Sequence, residues 1–329
     1  TTAGTTPDPA GGPVTGERAY RVTHRTAYRY DQPVEVSHTV ARLTPRTLAH
    51  QHVLDAVVAV EPSPASIDAG TDGFGNVVTS VTVEDLHDHL VVTGRSDVVV
   101  QPRPLPAVEA WTAPWDDTVA AIGADRSPDG LLARQCRLDS PLVERHAELA
   151  AFAARSFTPG RPLGEAAIDL TRRMFAELDF VPGATQVSTP VLEVLATRRG
   201  VCQDFAHLLA GALRSLGLAA RYVSGYLETE PPPGGERLLG ADASHAWVGL
   251  YVPGGGWVDL DPTNGLVQPD RHVTVAWGRD YTDVAPVRGV LFGPPAEQTL
   301  EIAVDVAPLG PAPGAAGPPA PAPEPDTAP

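Results

Sequence analysis

The chain has no lysine at all: its 24 basic residues are arginines, set against 40 acidic ones, for a net charge of −16. A GC-rich genome accounts for arginine in place of lysine, and an acidic surface repels polyanions. Nucleic acid and anionic membrane are therefore excluded as partners. There are only two cysteines, Cys136 and Cys202, too few for a disulfide framework or a four-cysteine metal site. Such a pair suits a reducing compartment, so a cytoplasmic protein is expected. No apolar run reaches the ~18 residues of a membrane span. The start, TTAGTTPDPAGGPVTG, has neither a basic stretch nor an apolar one to make it a secretory signal. It also lacks an initiator Met, which leaves room for an upstream segment and keeps export open.

What is present suits a globular protein of more than one domain. The 329 residues are 43% hydrophobic, and single cores rarely grow to that length. Residues 1–16 are Thr/Gly/Pro-rich, and 308–329 are Pro/Ala-rich. Both are expected to be disordered tails, with too little apolar surface to offset the entropy of ordering. From Glu17 to about Pro106, apolar and polar residues alternate in YRVTHRTAYRY, VEVSHTVARLTPR, HVLDAVVAVEP, FGNVVTSVTVE and HLVVTGRSDVVV. Short strands without intervening helices predict an N-terminal antiparallel β-sandwich-like domain over 17–106. Its histidines, among them the pairs His50/His52 and His87/His89, fall mostly at strand ends or on polar faces. They read as solvated surface rather than as a metal site.

The period becomes helical after the Pro-rich stretch at 101–117. A connecting, largely helical segment is expected over 107–160, with Ser140 capping a helix that opens at Pro141. PLGEAAIDLTRRMFAEL continues at helical spacing. STPVLEVLATRRG has Thr189 as a cap, Pro190 at the first helical position and Gly200 as a stop. A helix over 202–216 is followed by the strand-like ARYVSGYLE, SHAWVGLYV, GWVDLDPT and TLEIAVDV. Helices first and strands afterwards is α+β order, and the core is bounded at 161–307.

Cys202 opens the helix of RRGVCQDFAHLLAGALRSLG. Residues 202, 206, 209, 213 and 216 form one apolar stripe, so the thiol points inward. That pattern suits a packed cysteine. It suits a reactive one as well, because the first turn offers unpaired N–H groups and a helix dipole that favour a thiolate and an oxyanion. A nucleophilic thiol needs a base and a group to orient it, and SHAWVGLYVPGGGWVDLDPTNG supplies candidates. His245 begins one strand and Asp261 ends the next. A tight hairpin pairing Val252 with Trp257 puts Asp261 diagonal to His245, within hydrogen-bond reach only with a bulge or bend. Asp259 is a competing orienter. Trp247 shares a strand face with His245, either walling the site or packing in the core. His207 and Asp204 are rotated away from the thiol, and Cys136 has no partner of the right kind.

Taken together, GVCQDFAHL, ARYVSGYL, ASHAWVGLYVPGGGWVDLDPTNG and GRDY resemble the bacterial transglutaminase-like family, and 17–106 resembles the β-domain that precedes its core. The resemblance implies a papain-like, transglutaminase-like α+β core carrying a Cys-His-Asp triad. Cys202 would be the nucleophile, His245 the base and Asp261 the orienter, working through a thioester on a peptide or glutamine-type amide. No metal or cofactor is implied. Arg279, Asp280 and Tyr281 match a family signature, for which a structural ion pair is expected. Papain-type sites often carry an amide donor upstream of the cysteine. Ala196, six residues before Cys202, cannot serve, which leaves Gln186 as a candidate oxyanion donor. The expected partner is a protein or peptide substrate, with hydrolysis favoured over cross-linking. The other reading is a non-catalytic peptide-binding scaffold on the same fold.

Overall fold

The chain from Arg18 onward forms six strands, most of them alternating apolar and polar residues: β1 (Arg18–Val34), β2 (Val36–Ala41), β3 (Gln51–Glu61), β4 (Ser66–Thr71), β5 (Val77–Val83) and β6 (His87–Val100). The computed structural model describes residues 16–228, 244–294 and 297–309. The two expected tails therefore lie almost wholly outside the described residues. Strand β4, SIDAGT, shows no alternation because every one of its side chains is exposed. The sequence pattern could not reveal it.

A helical stretch follows: α1 (Val108–Thr112), α2 (Trp115–Ala124), α3 (Pro128–Gln135), α4 (Ala147–Ala154) and α5 (Leu163–Glu177). Helix α4 begins at Ala147, not at Pro141. Ser140 instead bridges to Val143 through paired backbone hydrogen bonds, and its hydroxyl accepts from the buried Arg214. The core continues with β7 (Asp179–Phe180), α6 (Val191–Thr197), β8 (Arg199–Gly200), α7 (Cys202–Ser215) and β9 (Ala220–Leu227). Then come β10 (Ser244–Val252), β11 (Gly256–Asp261), β12 (Leu266–Val267), β13 (His272–Gly278), α8 (Tyr281–Val284), β14 (Val287–Phe292) and β15 (Gln298–Pro308).

Among the described residues, three large sheets and the two-stranded pair β7–β8 organise these elements. Two four-stranded sheets, β15-β1-β6-β3 and β14-β2-β5-β4, face each other across Tyr30, Val34, Leu43, Val83, Leu90 and Val92. TLEIAVDV was expected as a strand of the 161–307 core, and residues 287–292 as part of the same core, yet both segments pair with the N-terminal sandwich. Antiparallel pairing joins Val304 to His24 and Val290 to His38. Alternation reports which face of a strand is buried, not which distant strand it joins, so this pairing was invisible in the sequence.

The third sheet, β12-β11-β10-β9-β13, carries α7 on one face. Val248, Leu250, Tyr222, Leu260 and Val273 share one apolar core with Leu208, Leu209 and Leu213 of α7 and with Leu149 and Leu170 of α4 and α5. Every residue from Asp204 to Arg214 is buried. The helix is thus enclosed on all sides rather than along the single stripe its spacing suggested.

The opposite face of this sheet meets the sandwich. The buried amide of Gln51 donates to the Thr274 carbonyl and accepts from the Thr274 N–H; the buried amide of Asn76 pairs with Trp277 in the same way. These amides satisfy the outer backbone of β13, an edge strand that would otherwise leave polar groups buried without partners. Trp277 is held between two guanidinium groups, Arg46 at 3.5 Å and Arg221 at 3.7 Å from its ring centre. His24 and His87 are buried, contrary to the solvated positions expected; His24 reaches the Tyr226 hydroxyl at 2.9 Å across the same junction.

Gly225 in β9 admits no side chain. A Cβ there would lie 2.0 Å from the Val273 carbonyl oxygen and 2.6 Å from the Trp247 ring. Both obstacles are fixed, one being backbone and the other a fully buried indole. Gly225→Ala is expected to lower stability by about 3 kcal/mol or more. The check is a chemical-denaturation curve beside that of Gly123→Ala, where a Cβ meets open space.

Candidate active site

The short parallel pair β7–β8 and the left-handed Arg198 (φ 59°) turn the chain sharply into α7. Helix α6 ends at Thr197, so Gly200 is not its stop signal. Gly200 is required for a different contact, because a Cβ would sit 2.8 Å from Asp204 Oδ2. That carboxylate accepts from the Val201 N–H at 2.8 Å and the Thr185 hydroxyl at 2.6 Å. Asp204 therefore fixes the first turn and leaves the thiol face free. Cys202 is the first helical residue and is partly exposed, and its Sγ lies 4.0 Å from the Ser244 carbonyl oxygen. The start of β10 is thereby beside it.

The β10–β11 hairpin decides which face His245 and Asp261 occupy. Val252 pairs with Gly256, and Val248 with Leu260. Pro253, Gly254 and Gly255 form the turn, made possible by left-handed Gly254 (φ 75°) and Gly256 (φ 77°). This is one register step from the expected Val252–Trp257 pairing, and one step exchanges the faces of a strand. Asp261 accordingly stands level with Trp247, on the face that carries His245. No bulge is needed: His245 Nε2 and Asp261 Oδ2 are 2.8 Å apart.

Asp261 is fully buried and saturated with donors. Its Oδ2 accepts from His245 Nε2 at 2.8 Å, His272 Nε2 at 2.8 Å and Asn264 Nδ2 at 2.7 Å. Its Oδ1 accepts from the N–H groups of Thr263 and Asn264. Burial alone would raise its pKa, but the hydrogen bonds from the two histidines reverse that and hold the carboxyl far below the usual range. Burial likewise opposes a charged His245. Its hydrogen bonds with Asp261 and Cys202 outweigh that and raise its pKa to about 10. With Nε2 committed to Asp261, the other ring nitrogen is the one left for the thiol. The ligand atoms of His245, Asp261 and His272 lie within 4.8 Å of one another. The hydrogen bonds they make account for this grouping without a cation.

The remaining candidates separate cleanly. Trp247 is completely buried, stacks on His245 with ring centres 5.9 Å apart, and packs on Val223 and Trp277. It backs the imidazole rather than lining an opening. Asp259 accepts from Trp247 Nε1 at 2.9 Å and pairs with Arg103 at 2.7 Å, so it supports the indole and leaves His245 to Asp261. Gln186 is exposed; its backbone N–H donates to Thr189 Oγ1, and among the described residues no hydrogen bond ties its side-chain amide to the cysteine. Thr189 thus braces the preceding loop, while Pro190 takes the cap position of α6.

His207 is buried against Tyr222 and accepts from the Tyr281 N–H. Arg279 pairs with Asp283, while Asp280 caps α8 and accepts from the Leu142 N–H. The ion pair of the GRDY segment is therefore made with Asp283, not within the motif. Cys136 is fully buried, and burial pushes its thiol up to about 11.

His272 and Asn264 were not singled out in the sequence. Asn264 is three residues after Asp261, inside the quoted DLDPTNG, a spacing at which a turn returns its side chain to the carboxylate. His272 carries no such signal, because β13 pairs with β9 rather than with β11, and only the tertiary fold brings its side chain to Asp261.

A cysteine at a helix start, facing a histidine and a carboxylate on neighbouring antiparallel strands, defines the papain-like, transglutaminase-like class of fold. Residues 20–99 match the bacterial transglutaminase-like N-terminal region, and residues 150–262 match the transglutaminase-like superfamily. An uncharacterized protein of Mycobacterium tuberculosis is 39% identical over 307 residues, covering 90% of this chain and 95% of its own. The chain belongs to the bacterial transglutaminase-like family. A protein-glutamine gamma-glutamyltransferase of Pseudomonas aeruginosa is 42% identical over 76 residues, 23% of this chain and 11% of its own. Among solved structures, a proposed cysteine protease of Cytophaga hutchinsonii matches with a TM-score of 0.71 and 22% identity over 90% of this chain and 92% of its own, which shows the shared fold. Among the described residues, no helix is long and apolar enough to cross a membrane.

Proposed function

We propose that this protein is a cysteine-dependent acyl-transfer enzyme acting on peptide or glutamine-type amides through a thioester. The observation that carries this reading is the buried His245–Asp261 pair next to the partly exposed Cys202. Sγ attacks the amide carbonyl carbon, forming a C–S bond and placing the electron pair on oxygen. The Cys202 N–H at the helix start is suited to hold that oxyanion. Collapse breaks the C–N bond, and His245 gives its proton to the departing amine. Water or a primary amine then attacks the thioester, loses a proton to His245 and expels the thiolate. Asp261 keeps the imidazole oriented and supports its charged form throughout.

Gamma-glutamyl transfer is the activity named for the Pseudomonas relative. Hydrolysis needs only water in place of the amine, and the proposed triad serves both. A peptide or protein is the substrate we favour. The test is incubation with glutamine-containing peptides, with and without a primary amine, read by mass spectrometry against Cys202→Ala. Deamidation, cleavage and amine incorporation give three distinct mass changes. Unchanged peptides with the wild-type protein would favour a peptide-binding scaffold.

A further inference from the structure

We propose that His272 is a positioning residue of this site: its Nε2–H, donated to Asp261 from a ring whose other nitrogen has no partner, holds the carboxylate aimed at His245. This rests on the triad reading above and extends it to a fourth side chain. His272 lies on β13, in register with Leu227 of β9. From there its Nε2 reaches Asp261 Oδ2 at 2.8 Å, the same distance as His245 and onto the same oxygen. Its Nδ1 is buried and has no hydrogen-bond partner among the described residues. A proton on that nitrogen would be stranded in an apolar setting, so the stable form is neutral with the proton on Nε2. Edge-on contacts with Trp247 at 4.9 Å and with His245 at 5.3 Å lock the ring plane.

The two imidazoles on Asp261 are therefore not equivalent. His245 is bonded to Asp261, and the nearby Cys202 also favours its charged form; burial presses His272 the other way. A neutral donor satisfies the buried carboxylate without cancelling its charge. An arginine or lysine in its place would neutralise Asp261 and weaken its hold on His245. His272 thus fixes the orienter, while the carboxylate's charge stays directed to the base. Fixing a supporting group in this way governs the geometry of the reacting atoms, where small displacements are costly.

The test compares His272→Phe, which keeps ring volume and loses the donor, with His272→Gln, whose amide can donate. Loss of the donor is expected to slow iodoacetamide alkylation of Cys202, and turnover of a glutamine peptide, by about 10- to 100-fold. His272→Gln should recover most of the rate at an unchanged melting temperature. Folded His272→Phe reacting at the wild-type rate would overturn the proposal, and so would His272→Gln being as slow as His272→Phe. Should His272→Phe not fold, histidine ¹⁵N NMR of the wild-type protein decides. His272 protonated on Nε2 alone supports the proposal, whereas a proton on Nδ1 refutes it. Dependence of Cys202 alkylation on His272 in a protein that turns over no amide would sink the enzymatic reading and leave the positioning role standing.

Discussion

Iodoacetamide at neutral pH is expected to modify Cys202 and leave Cys136 untouched in the folded protein. Cys136 is fully buried, and burial lifts its thiol to about 11. At pH 7 a thiol of that kind is ionised to only about one part in 10⁴, and only the thiolate reacts. Cys202 is partly exposed at a helix start, with an imidazole that stays protonated at neutral pH beside it. Exposure and charge both favour the same sulfur, so rates should differ by more than about 100-fold. Peptide mapping of a time course measures them directly, and unfolding in denaturant should abolish the difference. Equal labelling of both cysteines in the native state would contradict an activated Cys202.

Asp261→Ala should lower turnover by about 10⁴-fold, and His245→Ala by at least as much, because base and orienter act as one unit. The same substitution carries a pH signature. The Asp261 carboxyl is held below its ordinary range in the fold, so its contribution to stability is present above the unfolded value near ~4 and fades as the pH falls. His245 is raised to about 10, so its contribution is complete below the unfolded value near ~6.5 and is lost as the pH rises toward 10. The difference in melting temperature between wild type and Asp261→Ala should therefore be greatest between about pH 4 and 6.5 and shrink on either side. A difference that grew above pH 7 would contradict the coupling of His245 to Asp261. Normal turnover in a folded His245→Ala protein would remove the proposed triad.

Several features were legible in residue order. Local rules marked the helix at Cys202: a turn before it, apolar spacing along it and Gly217 just past its end. The same is true of two strands meeting at Pro-Gly-Gly-Gly, with His245 and Asp261 at their outer ends. Two cysteines were too few for a disulfide framework. What escaped depended on longer range. The true register of the hairpin differs by one residue from the simplest pairing, and that residue moves Asp261 onto the His245 face. The roles of Trp247 and Asp259 follow from that face meeting the sandwich, where an indole N–H and an arginine occupy Asp259.

The sequence by itself determined the cysteine, the histidine, the aspartate and the local elements that carry them, because turn chemistry and hydrophobic period act over a few residues. Only the tertiary structure decided that β14 and β15 close the N-terminal sandwich and that Gln51 and Asn76 seal β13. It also brought His272 to the same oxygen that His245 uses. The physical reason is that pairing between distant strands is selected by the whole core at once. A side chain's partners across a sheet depend on register and closure, and neither leaves a local mark in the chain.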